Sequence, residues 1–288
     1  MTISSQMLSS YDTLGLINTG KSSQFPSIKT IQSILVQLKE ILFPGFLGMT
    51  STTDTSTMTT LVQGHLQTLH DTLNAAIINC IKWDQPNIDA TAKSSIVLET
   101  FLSALPELRA RLIKDATAIL NGDPAATSLV EIVLSYPGFQ AIMVYRIAHI
   151  LYELKVPLMP RMMSEIVHSD TGIDIHPGAV IGDSFCIDHG TGIVIGETAI
   201  IGHHVKLYQG VTLGAFSVNK SKTNQKRHPT LKNYITVYAR STILGGNTII
   251  GDHCIIGGNV WLVDSMPDNT TIYVSMADRQ VMKPRKPA

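Results

Sequence analysis

Residues 174–214 read DIHPGAVIGDSFCIDHGTGIVIGETAIIGHHVKLYQGVTLG, and within them an aliphatic residue returns at every sixth position. Ile175, Ile181, Ile187 and Ile193 form one ladder; Ile195, Ile201, Leu207 and Leu213 form a second, offset by two residues. Past an unpatterned stretch, 215–231, a third ladder runs through Tyr238, Leu244, Ile250, Ile256 and Leu262. Glycine follows the ladder residue at Gly182, Gly196, Gly202, Gly214, Gly245, Gly251 and Gly257, and a small residue such as Ala179, Ala199, Thr242 or Cys254 precedes it by two. A period of six is neither the 3.6 of a helix nor the 2 of a plain strand. It is the period of a coil with flat faces, each hexad supplying one face and pointing its ladder residue inward. The pattern predicts a left-handed parallel β-helix over 171–270, an exception to the right-handed rule for parallel crossovers. At roughly 18 residues per coil it predicts about four coils. The glycines are expected at corners that need a positive φ.

Upstream of Ile173 the spacing is helical. Ile31, Ile34, Leu35, Leu38, Ile41 and Leu42 mark one helix, and 61–81, 93–120 and 138–154 read as others. The Ser/Thr-rich tract 50–60 reads as a linker. The expected organisation is α+β: a flexible arm over 1–25, a helical domain over 26–170, the β-helix over 171–270 with an excursion loop at 215–231, and a tail over 271–288.

The chain has 288 residues, with 22 Lys+Arg against 22 Asp+Glu, so its formal net charge is zero. That balance argues against a nucleic acid or an anionic membrane as partner. Three cysteines, Cys80, Cys186 and Cys254, are too few and too scattered for a disulfide framework or a zinc knuckle and suit a reducing compartment. No apolar run reaches the ~18 residues of a membrane span, and the N-terminal residues lack a basic segment followed by an apolar one. A soluble cytoplasmic protein is expected.

In a repeat, the exceptions carry the information. One is Asp188-His189-Gly190, where the ladder changes phase by two residues; such a bulge turns polar side chains out of register. The other is the polar, basic excursion at 215–231, a natural place for a ligand site. Asp174 precedes His189 by 15 residues, close to one coil, which predicts a carboxylate within reach of the imidazole. A carboxylate that holds a histidine tautomer makes the histidine a general base. With no Ser or Cys placed as a covalent nucleophile, direct attack by the acceptor is favoured. Cys254 reads as a structural inward residue, and His203, His204 and His253 read as exposed corner residues. Three other readings stay open on these residues alone: a hexapeptide acyltransferase acting on a sugar or an antibiotic, a zinc enzyme of the γ-carbonic anhydrase type using His176, His189 and His204, and a non-catalytic solenoid scaffold.

Four stretches narrow this further: 174–182 (DIHPGAVIG), 188–198 (DHGTGIVIGET), 210–214 (GVTLG) and Arg227-His228-Pro229, joined upstream by Gly122-Asp123-Pro124-Ala125 and 138–149 (GFQAIMVYRIAH). Over about residues 115–280 the chain resembles serine acetyltransferases. The resemblance implies serine O-acetylation from acetyl-CoA as co-substrate, with no permanently bound cofactor and no metal, as the first step of cysteine biosynthesis. It implies His189 as base with Asp174 holding it. Asp123 and Asp188 would then bind the serine ammonium, and Arg227 with His228 beside it the carboxylate. Gly214, Ala215, Ala239 and Gly258 would lie along the acetyl-CoA arm, with Lys220, Lys222, Lys226 and Lys283 near its phosphates or simply solvated. It also implies inhibition by cysteine at the serine site and a homotrimer, with pairing of trimers open. Three departures stand out: a longer loop over 215–226, a tail that retains only Arg279 of a family pattern, and no terminal Ile. Family members that dock into O-acetylserine sulfhydrylase use that Ile, so no such complex is expected.

Overall fold

The structure is a computed structural model that describes residues 2–15, 25–46, 48, 50, 52–216 and 225–274. Eight helices are described: α1 (Ile3–Leu14), α2 (Ile28–Leu42), α3 (Thr55–Asp84), α4 (Ala90–Ser103), α5 (Leu105–Gly122), α6 (Leu129–Ser135), α7 (Pro137–Glu153) and α8 (Met159–Thr171). The chain forms two compact units, Met1–Leu105 with Ile150–Met162 and Pro106–His149 with Met163–Ala288. The boundary therefore falls well before the change of sequence pattern near Ile173. No described helix is long and apolar enough to cross a membrane.

In the first unit α2, α3 and α4 pack on one another through Ile31, Ile34 and Leu38, Leu69, Leu73 and Ile77, and Val97, Leu98 and Phe101, all buried. Three sequence expectations change here. The tract 50–60 is only partly a linker: Asp54 accepts from the Thr57 amide at 2.8 Å and starts α3 at Thr55. Helix 93–120 is two helices, broken at Ala104, where Pro106 supplies no amide to continue the first. The expected arm contains α1, capped by Thr2 and burying none of its residues.

In the second unit fourteen short strands wind into a coil of three parallel faces. The first face is β1 (Asp174–Ile175), β4 (Val194–Ile195), β7 (Thr212–Gly214), β10 (Thr242–Leu244) and β13 (Trp261–Leu262). The second is β2 (Val180–Ile181), β5 (Ile200–Ile201), β8 (Thr230–Leu231) and β11 (Ile249–Ile250). The third is β3 (Cys186–Asp188), β6 (Lys206–Tyr208), β9 (Thr236–Val237), β12 (Ile255–Ile256) and β14 (Thr271–Ile272). This is the expected left-handed parallel β-helix. Two faces carry five strands each, so it has about five turns and not about four.

The interior column on the first face is Ile175, Ile195, Leu213, Ile243 and Leu262, paired in register. The third ladder is thus displaced at its start. Val237 and Ile243 point inward, Tyr238 is 43% exposed, and Ser241, not Thr242, fills the small inward position. An extra residue at Leu244–Gly245, where Gly245 has φ 102°, restores the phase at Ile250. The glycines also serve a different end from the one expected. The left-handed corner positions belong mostly to other residues, including Ser184, His204, Tyr234, Arg240, His253 and Asn259. At Gly182 and Gly202 a Cβ would lie 2.6 Å from the Gly202 carbonyl oxygen and 2.5 Å from the Lys232 carbonyl oxygen. Close stacking of successive coils, rather than backbone freedom, excludes side chains there.

Residues 106–149 are fastened to the first turn by a buried ion pair. Arg146 donates to Asp115 at 2.5 and 2.8 Å, and to the Ile181 and Gly182 carbonyls at 3.2 and 2.7 Å. Asp115 also accepts from the Phe185 amide at 2.9 Å. At Gly138 a Cβ would meet the Ile187 carbonyl at 2.6 Å, so α7 touches β3 directly. Removing one partner of such a pair strands a buried charge. Asp115→Ala is expected to cost about 3–5 kcal/mol and Asp115→Leu with Arg146→Met much less, read as denaturant midpoints at constant m-value.

Candidate active site

The bulge expected at Asp188–Gly190 is present. Ile195 follows its partner Ile175 by 20 residues, whereas Leu213 follows Ile195 by 18. The two extra residues lift His189 (φ 59°) and Gly190 (φ 94°) out of the coil at the corner between the third and first faces. The His189 side chain is 73% exposed, and its Nε2 lies 3.7 Å from Asp188 Oδ1. Asp123, just beyond α5, joins them from the helical side. Its carboxylate accepts from the Ala125 amide at 2.8 Å and from the Tyr136 hydroxyl at 2.8 Å. Those two bonds hold the Asp123 pKa below the ordinary carboxylate value, aided by Lys206 and His189. The same hydroxyl bond pushes Tyr136 up to about 12. Lys206 closes the cluster, with Nζ 2.8 Å from Asp188 Oδ2 and 2.7 Å from the Gly122 carbonyl.

Asp174 opens β1 at the start of the first face. Because the first coil has 20 residues, Asp174 pairs in register with Val194. Its carboxylate groups with Glu165 and His168, one ligand-type atom of each lying within 4.8 Å of the others. Among the described residues no hydrogen bond joins Asp174 to His189.

Arg227 and His228 lie at a different corner, between the first and second faces. Arg227 is ion-paired with Glu197. Thr198 holds both residues: its hydroxyl accepts from the Arg227 amide at 2.9 Å and the His228 amide at 3.1 Å. Its own amide donates to His228 Nδ1 at 3.0 Å. A backbone N–H only donates, so Nδ1 is an acceptor and the His228 proton sits on Nε2. The ring lies against Gly196, where any Cβ would collide with it. Burial, then the neighbouring Arg227 and Lys226, push the His228 pKa down to about 4. Lys226 points its ammonium at the carbonyls of Thr198 (2.6 Å), His228 and Pro229 (3.2 Å). Burial lowers its pKa to about 8.

One chain thus holds two half-sites, a carboxylate–imidazole corner and an Arg–His corner, at opposite edges of the first face. The expected acetyl-CoA positions border that face. Gly214 ends β7 and Ala215 follows it, while Ala239 and Gly258 stack at the corner preceding β10 and β13, joined by the Asn259 amide bond to the Ala239 carbonyl at 2.9 Å. His176, His189 and His204 occupy three different corners, so these three do not converge within a chain. Lys220, Lys222, Lys283 and residues 275–288 of the expected tail fall outside the described residues, whereas Thr271–Ile272 at its start form β14 of the coil. Sequence reading missed Lys206 and Tyr136, which belong to no motif it used, and gave no role to Glu197 and Thr198, which close the stretch 188–198.

These features were compared with known proteins. The family "Serine acetyltransferase, N-terminal" matches residues 54–144. A plasmid-encoded serine acetyltransferase of Synechococcus elongatus is 42% identical, covering 87% of this chain and 83% of that protein. Among solved structures, serine acetyltransferase isoform 3 of Entamoeba histolytica in complex with cysteine has a TM-score of 0.75 at 33% identity, covering 97% of this chain and 94% of that one. Serine acetyltransferase 1 of the same organism, in complex with L-cysteine, has a TM-score of 0.74 at 36% identity, covering 92% and 95%. The chain belongs to the serine acetyltransferase family.

The tautomer of His228 has a pH signature. Its folded pKa of about 4 lies below the ordinary 6.5, so between those values the unfolded chain binds more protons. Stability is expected to fall as pH drops from about 6.5 toward 4, and rise in the other direction. Nitrogen NMR is expected to show the His228 ring neutral, with Nε2 protonated, at every pH above about 5.

Proposed function

We infer that this chain is a serine O-acetyltransferase, converting acetyl-CoA and L-serine to O-acetylserine and CoA, the first step of cysteine biosynthesis. The observation that carries this reading is the imidazole of His189, lifted out of the coil beside two carboxylates in a chain of this family. In the proposed step His189 takes the proton of the serine hydroxyl, and the alkoxide attacks the thioester carbonyl. The tetrahedral intermediate collapses with C–S cleavage, and the imidazolium returns the proton to the departing thiolate. Asp123 and Asp188 receive the serine ammonium. Arg227 pairs with the carboxylate through its planar fork, with the neutral His228 as a donor beside it. For Asp174, which precedes His189 by 15 residues, close to one coil, we keep the role of orienting carboxylate. The small residues Gly214, Ala215, Ala239 and Gly258 let the pantetheine amides approach backbone along the first face.

A single serine bound at both half-sites has to span the first face, which is far wider than an amino acid. We therefore propose a homotrimer in which the His189 corner of one copy faces the Arg227 corner of the next. Cysteine carries the same ammonium and carboxylate as serine, so the same groups receive it. The cysteine complexes of the Entamoeba enzymes support inhibition competitive with serine. Three free thiols in the described chain agree with a cytoplasmic setting.

CoA release measured against a panel of hydroxyl acceptors tests the activity; selectivity for a sugar or an antibiotic over serine would sink it. His189→Ala is expected to lose ~10²–10⁴-fold in kcat with both substrates still bound, and Asp174→Asn less. A His189→Ala enzyme that keeps a third of its rate would remove that residue from the mechanism. Refolding His189→Ala together with Arg227→Ala is expected to restore activity that neither has alone, because mixed trimers contain some intact junctions. No recovery would place the whole site within one copy.

A further inference from the structure

Lys206 is an anomaly in the coil. It stands on β6 directly in register with Cys186 of β3, and its side chain runs diagonally back to Asp188. Only 16% of the side chain is exposed, and that of Asp188 only 12%. The ammonium bonds Asp188 Oδ2 at 2.8 Å and the Gly122 carbonyl at 2.7 Å, and sits 4.4 Å over the Tyr208 ring. A lysine in this setting has no solvating task. It ties a coil residue to the backbone immediately before Asp123, the other carboxylate of the same corner.

We propose that Lys206 is a positioning residue for the acceptor's ammonium group: it locks Asp188 and the Gly122–Asp123 turn into one anionic pair. This rests on the reading that Asp123 and Asp188 receive that ammonium. Two carboxylates at one site repel, and the usual outcome is that one of them takes up a proton. A fixed cation between them removes that tendency. The groups facing the pair are Asp188, His189, Cys186 and Tyr208 from the coil, and Asp123, Tyr136 and Glu131 from the helical side. Burial opposes the Lys206 charge, but the bonds to Asp188 and Tyr208 outweigh it and raise its pKa, so it stays a cation throughout the working range. Tyr136 stays neutral and only donates. Lys206 is therefore the permanent cation of the cluster. It leaves Asp188 Oδ1 facing His189 and the second lone pairs of the Asp123 oxygens for the incoming amine. The pair is offered ready-made, so binding an amine needs no prior proton loss.

The test uses the full-length enzyme with Lys206→Met, Lys206→Gln and Lys206→Arg. The neutral variants are expected to raise KM for serine by ~10-fold or more, the size of a lost bond to a charged group. The KM for acetyl-CoA should stay put and kcat move little. The acid limb of kcat/KM for serine should shift to higher pH in both neutral variants and return in Lys206→Arg. Lys206→Gln keeps a donor to Gly122 and carries the test should the Met variant not fold. An unmoved acid limb with unchanged serine KM overturns the proposal. So does a parallel loss in kcat and in both KM values, which marks a merely structural lysine. Asp123→Asn and Asp188→Asn separate the two levels. If neither alters serine KM, the ammonium reading itself fails; if they do and Lys206→Met does not, only the role of Lys206 fails.

Discussion

Asp115 and Arg146, both buried, are the joint on which the His189 corner depends. The pair reaches the coil through the Phe185 amide and the Ile181 and Gly182 carbonyls, so it bonds the backbone of the first turn, at the corner between the second and third faces, and not merely its side chains. Arg111 and Lys114 add outer bonds to Asp183 at 2.9 and 2.8 Å, and the Tyr145 hydroxyl caps the Ala179 carbonyl at 2.6 Å. Asp115 lies on α5, whose C-terminal end delivers Asp123 to His189. A β-helix alone offers a histidine on a bulge; the docked helix adds a second carboxylate, Asp123, beside it. A buried ion pair is a weak source of net stability but a demanding geometric constraint, which suits a joint that must hold two elements in register.

The regular positions of the coil have no room for chemistry. Their inward residues are aliphatic, and the glycines after them are pressed against the next turn. Function is therefore found where the repeat is broken. Two extra residues raise His189 at one corner. The excursion makes the next turn 30 residues long between Leu213 and Ile243, against 18 in the turn before it, and its downstream end carries Lys226, Arg227 and His228. Each insertion is pinned by neighbours that the repeat supplies: Asp188 and Lys206 for the first, Glu197 and Thr198 for the second. The two imidazoles are consequently of opposite character. His189 is exposed and close to carboxylates, as a base requires, whereas His228 is packed between cations and locked as a neutral donor.

The repeat was legible in the sequence because its cause is local: each hexad must turn one aliphatic side chain inward and keep bulk away from the next coil, and Ile175, Ile181 and Ile187 report that without reference to anything distant. The bulge at His189 and the excursion were legible for the same reason, as breaks in phase, and the helices around Ile31 and Phe139 as periodicity. Other features rest on contacts that spacing does not encode. The third ladder began one residue late in the sequence reading because Tyr238 and Leu244 fit a period of six as well as Val237 and Ile243 do; only stacking on Leu207 and Leu213 decides between them. The 20-residue length of the first coil, which pairs Asp174 with Val194 and sets it beside Glu165 and His168, is likewise not encoded in spacing. Lys206 belongs to no motif, and its meaning comes from a carbonyl 84 residues away in sequence. The sequence by itself determined the coil, its two interruptions and the chemistry of the residues in them. Tertiary structure alone decided which carboxylate meets which cation, and that the two half-sites lie apart on one chain, because those outcomes depend on how helix and coil edges approach and not on any period along the chain.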